Sequence, residues 1–166
     1  MRWGCCGPTE RMRAIAEAGY DYVELPVRAL LPDRPEEEFE PVRKVFQGCG
    51  IQPEAFNVFV PATLKIVGEE VDFGALTAHV EAALRRAASV GGQVVVFGSG
   101  GARNVPEGFS HDRACDQVVA FCRMAGDAAR RYGMVVAIEP LTRQGCNLIN
   151  TVAEALDLAR NVDRPE

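Results

Sequence analysis

The chain has 166 residues, 48% of them hydrophobic, which is enough to form one domain with a substantial core. Its formal net charge is −5, and acidic and basic residues are mixed along the chain without a basic block. This pattern argues against nucleic acid as the main ligand and favours a small neutral or weakly anionic one. Because no apolar stretch has the length of a signal peptide or a membrane span, we expect a cytoplasmic protein without a membrane partner.

The six cysteines contain no CxxC pair and lie mostly among apolar or small residues. We therefore expect reduced, partly buried thiols and no disulfide framework. They are Cys5, Cys6, Cys49, Cys115, Cys122 and Cys146.

A helical pattern ending in glycine and followed by an apolar strand recurs along the chain. The glycines are Gly19, Gly50, Gly92 and Gly133, at intervals of about 30–40 residues, and glycine is favoured just after a helix because it adopts the left-handed conformation without strain. Strands alternating with helices predict an α/β fold with a parallel sheet. The predicted strands are 2–6, 21–25, 53–60, 94–97 and 134–138.

Five helices are predicted between and after these strands. Thr9 is predicted to cap the first helix, and the second spans 36–47, with Pro41 marking its true first turn. The third begins at Asp72 and the fourth is capped by Ser110. The fifth spans 147–162, and Asn150 or Thr151 caps its regular part.

The strongest candidate for chemistry is Glu139, which follows the short apolar strand 134–138. This strand is predicted to be covered on both faces, as parallel strands are, and ligands of parallel α/β folds bind at the carboxyl ends of the strands. A partly dehydrated carboxylate there requires a cation, a metal or a hydrogen-bond donor. The alternative is an ordinary loop carboxylate paired with Arg143, which is itself a candidate substrate ligand.

Four further side chains follow the other predicted strands. Glu24 lies near the end of the second strand and is either a site residue or the partner of Arg28. Asn57 is a candidate on the third strand. After the fourth strand a glycine cluster contains Ser99 and leads to Arg103, which is expected to clamp an anionic group unless it is solvated.

Three segments resemble the sugar phosphate isomerase/epimerase family, the xylose isomerase-like TIM barrels. Residues 138–141 (Ile-Glu-Pro-Leu) and 147–155 are similar to its fifth strand and helix, while 96–103 and 61–68 are similar to its fourth and third strand–loop segments. The resemblance covers essentially residues 1–166. It implies a TIM-barrel-like α/β domain that is incomplete, with about five of eight βα units.

The resemblance also implies an activity and a cofactor. The glutamate matching Glu139 ligates a divalent cation, commonly Mn²⁺, Mg²⁺ or Co²⁺, and takes part in proton transfer during isomerisation or epimerisation of a sugar through an enediolate. The other ligands of this family come from later strands, beyond Glu166, so the chain alone is expected to be inactive. Where the family often has asparagine and glutamate after this residue, the sequence has Thr142 and Gly145.

Three alternatives stay open. The first is an endonuclease IV-like DNA-repair enzyme of the same superfamily, which requires a histidine-rich metal site, whereas the sequence has only His79 and His111. The second is a doubly wound, flavodoxin-like binding module. The third is an open barrel fragment that is stabilised as a homo-oligomer or exposes apolar strand edges.

Overall fold

Five parallel strands form one sheet in the computed structural model, which describes residues 1–166. The strands are β1 (Gly4–Cys6), β2 (Tyr22–Pro26), β3 (Pro53–Asn57), β4 (Val94–Phe97) and β5 (Val135–Ile138). Each pairs with its neighbours in sequence, in the order β1-β2-β3-β4-β5. This order is that of consecutive units of a barrel and confirms the predicted fold class. The flavodoxin-like alternative is wrong, because a doubly wound sheet reverses its strand order at a switch point.

Six α-helices accompany the sheet. They are α1 (Met12–Glu17), α2 (Glu36–Gly48), α3 (Phe73–Ser89), α4 (Gly100–Arg103), α5 (His111–Tyr132) and α6 (Val152–Val162). Short 3-10 turns occupy Thr9–Arg11 and Val27–Leu30. No helix has both the length and the apolar character needed to cross a membrane.

Side-chain caps explain where three of the helices begin. The side chains of Asp72, Ser110 and Thr151 each accept a hydrogen bond from the backbone N–H three residues later, which satisfies a donor that the first helical turn leaves free. These caps confirm the predicted starts of α3 and α5 and select Thr151 for α6. Helix α6 therefore begins at Val152 and not at residue 147 as predicted. The predicted cap at Thr9 is wrong, because a 3-10 turn without a side-chain cap begins there.

The predicted boundaries of α2 and β3 differ from the structure for local reasons. Helix α2 begins at Glu36 and contains Pro41 in its interior, so Pro41 does not mark the first turn. Three acidic residues in that first turn favour the earlier start through the helix dipole. Strand β3 ends at Asn57, three residues before the predicted end, because Val58 adopts a left-handed conformation with φ of 50°.

The two faces of the sheet are buried to different degrees. Along β2 and β4, fully buried residues that pack into the helix-covered core alternate with half-buried ones. In the core, the rings of Phe97 and Phe121 lie 5.0 Å apart between centroids. Strand β5 is more open than predicted, and Val135 is 46% exposed. The prediction that β5 is covered on both faces is wrong, because none of its four residues is fully buried.

All six cysteines are unpaired in the structure. Cys6 is exposed, whereas Cys122 and Cys146 are buried. Burial raises the pKa of the Cys122 thiol to about 12, so this side chain behaves as a small apolar residue at neutral pH.

The capping box of α6 generates a pH-dependent prediction. Backbone N–H groups of Asn150 and Thr151 donate to the Glu154 carboxylate and hold its pKa below the ordinary value. The contribution of this carboxylate to stability is therefore present at neutral pH and is lost as the pH falls through the lowered pKa. We expect Glu154→Gln to lower Tm at pH 7, and this difference from the wild type to shrink as the pH falls and the wild-type carboxylate becomes protonated.

Thermal unfolding followed by circular dichroism from pH 3 to 7 measures this difference. Glu107→Gln serves as the matched control, because Glu107 is an exposed loop residue, and it should leave Tm unchanged throughout. A Tm deficit of Glu154→Gln that is the same at pH 3 and pH 7 would contradict the role of the ionised carboxylate.

Candidate active site

Glu139 is the first residue after β5 and lies at the carboxyl edge of the sheet. Its backbone N–H donates to the carbonyl of Phe97 at the end of β4, with an N···O distance of 3.2 Å. The side chain is exposed and lines a cavity of about 450 Å³, which we call the mouth cavity. The mouth cavity is bounded by the ends of all five strands and the loops that follow β3, β4 and β5. This is the edge at which ligands bind in parallel α/β folds.

Glycine at position 98 creates the space that the Glu139 carboxylate occupies. A Cβ atom on Gly98 would lie 2.2 Å from Oε2 of Glu139, so any larger residue displaces the carboxylate. Glycine after a buried strand leaves room for a ligand to approach the backbone. In the structure, part of that room is filled by the chain's own acidic side chain.

Glu24 and Asn57 enter the mouth cavity from β2 and β3. Nδ2 of Asn57 donates to Oε1 of Glu24 over 2.7 Å, and it lies 3.2 Å from Sγ of Cys6. The amide therefore fixes one oxygen of the Glu24 carboxylate and leaves the other available to a ligand. The sequence analysis did not single out Cys6, although its place at the end of β1 puts it at the same edge.

Ser99 also lines the mouth cavity, but it is buried and forms a structural hydrogen bond. Its Oγ accepts a hydrogen bond from the backbone N–H of Val60 over 2.9 Å, which ties the loop after β3 to the loop after β4. Its backbone adopts a left-handed conformation with φ of 40°. The hydroxyl proton remains able to donate to a ligand oxygen.

Arg103 lies away from the mouth cavity, contrary to the expectation that it clamps an anion. It is 0% exposed, and its guanidinium donates to the carbonyls of Phe97, Glu139 and Ile149 over 2.9, 2.8 and 3.4 Å. No acidic group is bonded to it, and its Nε has no partner. Arg103 thus holds the backbone around Glu139 and is inaccessible to a substrate.

Arg143 lies outside the mouth cavity as well. It is exposed and lines a separate cavity of about 420 Å³ together with His111 and Cys115. It forms no ion pair with Glu139, so the paired-carboxylate alternative does not describe the structure. Of the six predicted site residues, the structure brings together Glu24, Asn57, Ser99 and Glu139.

The chain does not contain a closed metal site. Nowhere are three histidine, cysteine or acidic side chains gathered so that they could hold a metal ion. The mouth cavity nevertheless offers two carboxylates, on Glu24 and Glu139. Oxygen ligands of this kind suit a hard divalent cation.

The close contact at Gly98 predicts that a substitution there changes the geometry of the site with little effect on stability. Gly98→Ala should displace the Glu139 carboxylate, which is the mobile end of a side chain, while the free energy of unfolding changes by less than about 1 kcal/mol. Gly48→Ala is the matched control, because a Cβ there meets nothing within 4 Å. Crystal structures and urea unfolding of both variants measure the two effects, and an unmoved Glu139 carboxylate in Gly98→Ala would refute the steric argument.

Substitutions of the two arginines should differ in their effect on stability. Arg103→Met removes three hydrogen bonds to carbonyls, leaves the carbonyl of Glu139 without a donor, and should lower the free energy of unfolding by about 3 kcal/mol. Arg143→Met removes an exposed side chain and should change it by less than about 0.5 kcal/mol. Urea unfolding compares the two variants, and equal losses would show that Arg103 does not brace the fold.

Comparisons with known proteins agree with this fold. No curated protein sequence gives a significant match to the chain. Among solved structures, a D-psicose 3-epimerase crystallised in the presence of D-fructose superposes with a TM-score of 0.81 at 18% identity, covering 99% of this chain and 61% of that one. At this identity the similarity establishes the fold alone.

Two further structures extend the comparison. The 3-keto-D-glucoside 4-epimerase of E. coli has a TM-score of 0.76 and 25% identity, with 98% of this chain and 65% of that one covered. An AP endonuclease, family 2, from Brucella melitensis has a TM-score of 0.74 and 21% identity, with coverages of 99% and 66%. The chain thus spans less than two thirds of the length of each of these structures.

The sequence profile of one protein family, described as xylose isomerase-like TIM barrel, matches residues 12–166. The match covers nearly the whole chain and includes Glu24, Asn57, Ser99 and Glu139. The chain belongs to the family of xylose isomerase-like TIM barrels.

Proposed function

We propose that the chain is part of a divalent-metal-dependent sugar isomerase or epimerase that moves a proton next to a carbonyl. The observation that carries this proposal is the mouth cavity, in which the Glu139 and Glu24 carboxylates meet Asn57 and Ser99. Its volume of about 450 Å³ lies within the range of small-ligand sites. Two structurally similar proteins are named as epimerases of a ketose and of a keto-glucoside, which supports the same class of reaction.

Glu139 is the proposed catalytic residue. Its exposed carboxylate at the end of β5 is placed to provide an oxygen ligand for the cation and to accept a proton from the sugar. A bound divalent cation polarises a carbonyl and the adjacent hydroxyl, which acidifies the neighbouring C–H bond. Through an enediolate, return of a proton to the neighbouring carbon would give the isomer. Return to the same carbon from the opposite face, by a second glutamate expected outside the 166 residues, would give the epimer.

The other residues of the cavity would recognise the sugar. Glu24 presents a carboxylate oxygen that Asn57 leaves unbonded, and this oxygen can accept from a sugar hydroxyl. Ser99 can donate its hydroxyl proton to a sugar oxygen. These contacts orient the substrate with respect to Glu139.

The cation would be Mn²⁺, Mg²⁺ or Co²⁺, and this chain would supply one of its protein ligands. Because no three ligand-type side chains are gathered within the 166 residues, the remaining ligands are expected outside them. The chain alone should therefore bind a cation weakly and should not turn over a sugar.

A small-molecule sugar in the cytoplasm is the proposed partner, and neither nucleic acid nor membrane is. Similarity to the Brucella endonuclease favours DNA repair as the second candidate. However, the net charge is −5, and neither His79 nor His111 lines the mouth cavity. The sugar reaction accounts for these features better. Assembly into a homo-oligomer remains a separate proposal.

Titration with Mn²⁺ tests the proposed role of Glu139. Paramagnetic Mn²⁺ should broaden the amide NMR signals of Gly98 and Leu141, which flank the carboxylate, with a Kd above about 100 µM. Glu139→Gln should abolish this broadening, and Glu107→Gln should preserve it.

Two results would contradict the proposal in different ways. Broadening that survives in Glu139→Gln would remove Glu139 from the cation site. Binding with a sub-micromolar Kd would show that the chain already contains a closed site, against the expectation that further ligands lie elsewhere.

A further inference from the structure

A second and larger cavity adjoins the mouth cavity. It has a volume of about 710 Å³ and lies between the loop after β2, the loop after β3 and helix α3. We call it the outer cavity. Val58 and Ala62 line both cavities, so the two spaces lie next to each other at the segment that follows β3.

Val58 stands at the junction in an unusual conformation. Its φ of 50° is disfavoured for a β-branched residue, because the branched side chain crowds the backbone. The side chain is nevertheless 55% exposed, so burial of apolar surface does not account for the strain. Strained residues of this kind are concentrated at ligand-binding sites, where the surrounding structure maintains them.

The polar lining of the outer cavity includes both charges and a hydroxyl. Arg28 and Asp33 lie on the loop after β2, and both are exposed and take part in no ion pair. Thr63 adds a hydroxyl from the loop after β3. A phosphate bound in this cavity would share it with the Asp33 carboxylate, which repels it. Donors and acceptors together suit the hydroxyls of a sugar.

The apolar residues that line the outer cavity also suit a sugar. Pro61 and Leu64 contribute apolar surface beside the polar groups, and Val58 continues it toward the mouth cavity. A pyranose ring has hydroxyl groups at its edge and C–H bonds on its faces. Such a ring therefore fits a cavity that combines an apolar wall with a mixed polar rim.

We propose that the outer cavity is the subsite for a second sugar ring, and that the substrate is consequently a glycosylated ketose and not a free monosaccharide. This inference rests on the proposed function, because it assumes that the reacting ring occupies the mouth cavity beside Glu139. Arg28, Asp33 and Thr63 would bind the hydroxyls of the second ring. Val58 would lie against the linkage between the rings.

Three probes distinguish the possible occupants. They are D-fructose, isomaltulose, in which a glucosyl group is attached to O6 of D-fructose, and D-fructose 6-phosphate. Binding is followed by amide chemical shifts in NMR titrations of the full chain. We expect isomaltulose to bind about tenfold more tightly than D-fructose and to shift the amides of both Gly98 and Thr63, whereas D-fructose shifts Gly98 alone.

Matched variants on α3 separate the two subsites. Ala78→Trp places an indole in the outer cavity, which Ala78 lines, and should remove the advantage of isomaltulose while leaving D-fructose binding unchanged. Thr77→Trp is the control, because Thr77 is exposed on the same helix and does not line the cavity. This variant should retain the advantage.

The remaining outcomes would overturn the inference. Equal affinities for D-fructose and isomaltulose, or exclusion of isomaltulose, would show that the outer cavity does not bind a second ring, and the proposed function would stand. A gain for D-fructose 6-phosphate alone would assign the outer cavity to a phosphate. If none of the three shifts the Gly98 amide, the mouth cavity is not a sugar site and the proposed function fails with the inference.

Discussion

The buried guanidinium of Arg103 joins the structural segments on which the candidate site depends. It donates to carbonyls at the end of β4, at Glu139 and at Ile149, just before helix α6. These bonds hold the backbone of Glu139 against β4, so the direction of its carboxylate follows from the position of a side chain outside the cavity. A buried charge without an acidic partner is costly, and its hydrogen bonds to three carbonyls offset that cost.

Close contacts between loops at the glycine cluster also hold the candidate site in place. A Cβ on Gly100 would lie 2.5 Å from the carbonyl oxygen of Gly145, and one on Gly101 would lie 2.6 Å from Cβ of Ala62. The loop after β4 therefore packs tightly between the loops after β3 and β5. Together with Arg103, this packing gives the mouth cavity a fixed wall on which Ser99 and Glu139 are held.

The sequence pattern was sufficient to predict the architecture and the edge of the sheet at which the candidate site lies. The apolar run that became β4 has the predicted bounds, and Glu139 follows β5 as its sequence position required. The same logic placed Glu24 and Asn57 at this edge, because parallel strands end on one side. Their hydrogen bond could not be predicted, since it depends on the register between β2 and β3.

Two arginines show what the sequence pattern could not predict. Arg103 and Arg143 follow adjacent strands and carry the same charge, yet one is fully buried and the other is exposed. Their difference arises from the short helix α4, which turns Arg103 back toward carbonyls of segments distant in the chain. Likewise, β3 ends early because of the left-handed Val58, which no sequence rule predicts for a β-branched residue.

The proposed role of Glu139 is to present its carboxylate to a cation within the mouth cavity. A crystal structure of the chain soaked with Mn²⁺, with anomalous scattering to locate the metal, tests this claim most directly. The account predicts an anomalous peak about 2.2 Å from a carboxylate oxygen of Glu139, inside the cavity that Glu24 and Asn57 also line. A peak on other carboxylates only, with the Glu139 side chain directed away from the cavity, would contradict it.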